Sequence, residues 1–161
     1  MGCHVNMARL LFSETPATAF QMPAGHWEHF DYGSDIGVRG FAATKAAAFE
    51  QAALGLTGIV ADPRSVIARE TVPIWCEADD DLLLLAAWLN AIVCEMSCRR
   101  MLFGVFHVEL SPGRLTGTAS GEQSCAMCVP PSMEIKGITY AALRLDRTAS
   151  GAWMAQAVVD I

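Results

Sequence analysis

The residues of this chain best suited to chemistry are a few acids, six cysteines and one lysine. Asp160 and Ile161 close the sequence, after a run, "AWMAQAVVDI", that reads as a strand. Chain ends ordinarily fray. If this strand docks, the α-carboxylate of Ile161 is held in place beside the Asp160 carboxylate. Two neighbouring carboxylates repel unless a cation joins them, and oxygen donors suit hard divalent ions. The competing reading is a frayed end with an ordinary surface aspartate. Asp35 follows the turn signal "YGS" and opens a strand. There it serves either turn chemistry, because Asp bonds local backbone, or ligation. Asp79, Asp80 and Asp81 form the one acid cluster; capping and the helix dipole explain it better than ligation.

Cys94 and Cys98 are four apart, and "CAMC" supplies Cys125 and Cys128. The four could form a thiolate zinc site, but free cysteine more often acts as a small buried hydrophobe. Lys136 lies in an apolar β-like run, where a snorkelling side chain is the plain reading. His26, His29 and His107 are expected in surface or strand-packing roles. No Gly-rich phosphate loop and no G-x-S-x-G elbow occurs.

The elements that must position these groups follow from periodicity. Runs at about 26–31 and 35–42 flank "YGS" as two strands. Phe49, Ala53, Leu56 and Val60 recur at helical spacing between Thr44, a candidate N-cap, and Asp62-Pro63. "SVIARETVPIWCEA" reads as a strand. A second helix spans about Asp79 to Cys98, its buried stripe expected at Leu82, Leu85, Leu89, Ile92 and Met96. "MLFGVFHVEL", "RLTGTASGE", "MEIKGITYAALRLD" and the terminal run supply four more strands. The order β-β-α-β-α-β-β-β-β predicts an α+β fold, two helices packed on a largely antiparallel sheet.

The chain has 161 residues, 53% of them hydrophobic and 17% charged, enough for the core of a single domain. Residues 1–25 show no sustained periodicity and read as an N-terminal extension, with the domain over 26–161. A formal net charge of −6 lacks the basic footprint of a stand-alone nucleic-acid binder. The longest apolar block, Leu82 to Val93, is short of the roughly 20 residues a membrane span needs. "MGC" is followed by Asn6, which breaks the myristoylation pattern. A cytoplasmic protein with no membrane partner is expected, its thiols reduced.

Several of these segments together resemble the archease family. "YGSDIGVRGFAAT" followed by "AFEQAALGL" is similar to its opening, "DDLLLLAAWLN" to its second helix, and "SGE", "EIKGITYAALRL" and the final "VVDI" complete the same order. Of the family's His-Thr-Ala-Asp motif the aspartate survives as Asp35, while Tyr32, Gly33 and Ser34 stand in place of the first three residues. The resemblance implies a strand-helix-strand-strand type module and a divalent-metal site on Asp35, Asp160 and Ile161. Calcium is the expected ion, with magnesium or manganese admissible. It further implies that the chain is not an enzyme but a protein cofactor. Its partner would be an RtcB-type tRNA-splicing RNA ligase, whose guanylylation and multiple turnover it promotes. Lys136 becomes a candidate partner contact, with Glu122 and Glu134 as weaker ones. A chaperone-like interaction module and a metal-dependent hydrolase are the alternative readings.

Overall fold

The structure is a computed structural model, and it describes residues 25–124 and 134–161. The expected extension, together with Cys3, Cys125 and Cys128, therefore lies outside the described residues, apart from Gly25. Nine regular elements follow in the expected order: β1 (His26–Tyr32), β2 (Asp35–Ala42), α1 (Lys45–Thr57), β3 (Glu70–Glu77), α2 (Asp81–Arg99), β4 (Met101–Ser111), β5 (Arg114–Gln123), β6 (Gly137–Arg147) and β7 (Trp153–Asp160). A short 3₁₀ turn, Pro63–Ser65, follows α1.

The α+β prediction holds, with one refinement: the strands form two sheets rather than one. A four-stranded sheet runs β1-β2-β7-β6 and a three-stranded sheet runs β3-β5-β4. Every pairing is antiparallel. The core residues of both sheets and both helices form a single cluster. From β2 it takes Val38, from α1 Phe49 and Leu56, from α2 Leu85 and Trp88, and from β4 and β5 Phe103 and Leu115.

Local chemistry explains the helix ends. The Thr44 hydroxyl accepts the Ala47 amide at 3.1 Å, the capping bond its position predicted. On α2 the Asp80 carboxylate accepts the Leu83 amide at 2.8 Å, and Asp81 pairs with Lys45 at 2.5 Å, tying the two helix N-termini together. The acid cluster is thus capping and pairing chemistry. The buried face of α2 is broader than a single stripe. Leu84, Leu85, Ala86, Trp88, Leu89, Ile92 and Val93 are all buried, whereas Leu82 and Met96 are only partly so. A helix in contact with strands of both sheets has more than one apolar face. By length and composition α2 would also suffice for a membrane span, but this buried face makes it the core helix of the fold.

The strand expected across 65–78 is shorter, because residues 66–69 hydrogen-bond as a loop against Gly121 and Glu122. Pro73 is accommodated because β3 is an edge strand, where a missing amide costs no ladder bond.

Candidate functional site

The β1–β2 hairpin sets the first carboxylate. Tyr32 pairs with Asp35 across a two-residue turn, and Gly33 supplies its positive φ of 61°. β2 then pairs with β7, Ile36 opposite Val159. One residue further along this ladder sets Asp35 opposite Asp160. On the far side of β7, Asp160 pairs with Gly137 of β6. A row therefore crosses four strands at one end of the sheet: Tyr32, Asp35, Asp160, Gly137. Opposed residues in such a pair have Cβ atoms about 4.5–5.5 Å apart, and like charges there are unfavourable.

Alternation fixes which face the row occupies. Ile36, Val159 and Ile161 pack against the core, so Asp35 and Asp160 point to the face away from it. Ile161 is anchored by its side chain, which keeps its main-chain oxygens beside Asp160. The Asp160 carbonyl accepts the Lys136 amide at 2.8 Å, so the tail is strapped to the start of β6 as well. The terminal run is a held strand, as expected, though not an alternating one. Ala155 through Val159 are buried on both faces, because β7 is a central strand with cover on each side.

That outer cover was not legible beforehand. The ring of Phe30 lies over Gly37, where a Cβ would meet ring carbons at 2.1–2.3 Å. The Arg39 guanidinium sits 4.0 Å over the same ring. Arg39 Nε donates to Gln156 Oε1 at 2.7 Å, and Gln156 Nε2 donates to the Ala142 carbonyl at 2.7 Å. Gln156 is thus buried but satisfied. Its second bond holds an irregular stretch of β6 between Thr139 and Arg144, where the register shifts and Ala142 adopts φ 56°. No motif marks Gln156; an amide in an apolar terminal strand was the available signal.

Among the described residues neither Asp35 nor Asp160 forms an ion pair. Arg39 shares their face but is paired with Glu28 at 3.2 Å. It stands four residues along β2 from Asp35, about 13 Å at strand rise. Also among the described residues, no three His, Cys, Asp or Glu side chains gather in a way that could hold a metal. Any ion here would rest on two side-chain carboxylates and main-chain oxygens, a donor set that suits a hard cation.

The other expected residues are placed as follows. Lys136 precedes β6 and is exposed, rather than lying within the strand. Glu122 accepts Arg69 Nε at 3.1 Å, and Glu134 is exposed. His26 stacks on Phe41, His29 Nε2 donates to the Gly55 carbonyl at 2.7 Å, and His107 lies 3.6 Å from Glu109; these are the packing and surface roles expected. Cys76 is buried, and desolvation raises its thiol pKa. Cys94 and Cys98 are exposed, which corrects their reading as buried hydrophobes.

The model of the Archease protein family matches residues 27–161. The chain belongs to the archease family. The protein archease of Thermococcus gammatolerans is 35% identical over 139 residues, covering 84% of this chain and 98% of the relative. That of Pyrococcus furiosus is 34% identical with the same coverage. The solution structure of Methanobacterium thermoautotrophicum protein 1598 shares the fold with a TM-score of 0.69 at 23% identity, over 84% of this chain and 98% of that one. The crystal structure of a Thermotoga maritima archease described as a possible chaperone aligns with a TM-score of 0.51 at 14% identity, over 88% and 98%. The family match encloses the whole row from Tyr32 to Ile161.

Proposed function

We propose that this archease is a non-enzymatic, metal-binding protein cofactor that activates an RtcB-type RNA ligase in tRNA splicing and RNA repair. Family membership is the coarse support. The observation that carries the finer reading is the opposition of Asp35 and Asp160 on the outer face, with no cationic partner among the described residues. Asp35 and Asp160 would hold a divalent ion, calcium first and magnesium or manganese as substitutes, with the main-chain oxygens of Ile161 completing the protein ligands. When bound, the ion supplies the charge that lets the two carboxylates coexist. The chain's own part is rigidity: the Gly33 turn, the Lys136 strap and the anchored Ile161 fix β1, β2, β6 and β7 at one edge, where exposed Lys136 is offered to the ligase. The acidic chain leaves RNA contact to that partner. A cytoplasmic location accompanies this reading.

The deciding experiment is ligation at limiting ligase, with and without this chain. Stimulation that needs a divalent ion and disappears in Asp160→Ala supports the proposal. Turnover of RNA or nucleotide by the chain alone would favour the hydrolase reading. A well-folded chain with no effect on the ligase would leave the broader chaperone-like reading, the one named for the Thermotoga maritima relative.

A further inference from the structure

The exposed thiols of α2 are used neither by the core nor by the carboxylate row. Cys94 and Cys98 stand at i and i+4, with their sulfurs 3.7 Å apart. We propose that this pair is a two-thiolate site for a thiophilic divalent cation of the zinc and cadmium class.

Distance decides between this and oxidation. In a tetrahedral zinc–thiolate site the bonds are about 2.3 Å, so two sulfurs on one edge lie roughly 3.8 Å apart. The Cys94 and Cys98 sulfurs already span such an edge, with no movement of the helix. A disulfide needs Cβ atoms about 3.5–4.5 Å apart, whereas residues four apart on a helix hold them at about 5–6 Å. Oxidation would therefore distort α2, and cation binding would not.

Space agrees. Beside the pair opens a concavity of about 430 Å³, lined in part by Asn90, Ser97, Glu134 and Lys136. It leaves room for water, and the Glu134 carboxylate shares its wall. Binding is a proton exchange without redox: two thiols release two protons, and two metal–sulfur bonds form.

The site is chemically separate from the row on β2 and β7, since thiolates select soft ions and carboxylates hard ones. The two are nevertheless neighbours. The Lys136 amide bonds Asp160, and the Ile138 amide bonds Asn90 Oδ1 at 3.0 Å.

The test is titration of Cd²⁺ into the full chain carrying Cys3→Ser, Cys125→Ser and Cys128→Ser, followed by the ultraviolet thiolate-to-cadmium charge-transfer band. One ion per chain is expected, with the band unchanged by excess Ca²⁺. Adding Cys94→Ser or Cys98→Ser should erase the band and weaken Cd²⁺ binding by more than the roughly 10–100-fold that loss of a supporting outer group costs. Circular dichroism controls for folding, which exposed serines should not disturb. A band absent from the triple variant, or one that survives Cys94→Ser, overturns the inference.

Discussion

The two sheets receive their helices in opposite ways. On the four-stranded sheet, α1 comes down to the backbone of β2. A Cβ at Gly40 would lie 2.3 Å from the Ala52 nitrogen and 2.5 Å from the Ala48 oxygen. The facing residues, Ala48, Ala52 and Ala53, are small and fully buried. The three-stranded sheet is filled by large side chains. Trp88 meets the edge of Phe106 at 6.0 Å between centroids and lies over Gly117, where a Cβ would come within 2.9 Å of its ring. Its indole nitrogen donates to the Phe49 carbonyl at 3.1 Å, linking the two helices. Bulk buried there supplies stability, while close backbone approach fixes position. The side that must hold two strand ends in register is the one built by close approach.

The largest expected effect breaks the second half of this contrast. Trp88→Ala should cost about 3–5 kcal/mol from the cavity and the lost contacts, while the Phe49 carbonyl keeps its helical partner within α1. Urea denaturation reads this as a drop in midpoint. Gly40→Ala tests the other half: one methyl has nowhere to go, so α1 must shift or the chain must lose stability. A Gly40→Ala variant as stable as the parent would show that the helix is not seated on the strand.

The same contrast explains what could be read from sequence. Element order was legible because each segment obeys its own period, and Thr44 was legible because capping is local. What failed involved residues with cover on two sides. α2 contacts strands of both sheets, so its buried set reaches Trp88 and Val93, beyond any single stripe. β7 is central and covered on both faces, so its alternation vanished into Ala155–Val159. The split into two sheets and the irregularity of β6 depend on which strands meet, and pairing is not a local property. Asp35 and Asp160 are far apart in sequence. Only the register of two strands, β2 and β7, or likeness to a family, brings them together.

A middling effect is expected at the carboxylates. Asp35→Asn or Asp160→Asn should leave the ion-free chain as stable as the parent, or firmer by roughly 0.2–1 kcal/mol, because opposed like charges are relieved. Calcium affinity should instead fall by at least about 10–100-fold. Calorimetric titration checks each variant. Destabilisation of the ion-free chain by Asp160→Asn would mean that the carboxylate is paired and the row is not a cation site.

The smallest effect concerns Glu50, where α1 meets β4 of the three-stranded sheet and burial costs a charged group some of its water. Burial raises its carboxyl pKa above the ordinary 4.5, and the Val108 amide and His107 only partly oppose that rise. The sign follows from linkage. A carboxyl whose folded pKa exceeds its unfolded value contributes stability that is complete below the unfolded pKa and is lost as pH rises through the folded one. Ionised Glu50 is therefore a small liability at neutral pH and none in acid. Glu50→Gln keeps the shape and removes the titration. The variant should match its parent near roughly pH 4 and melt slightly higher near about pH 7. Thermal melts of both proteins at the two pH values suffice. If the gap between them is the same at both, Glu50 is well solvated, and α1 does not lie as close to β4 as its burial there requires.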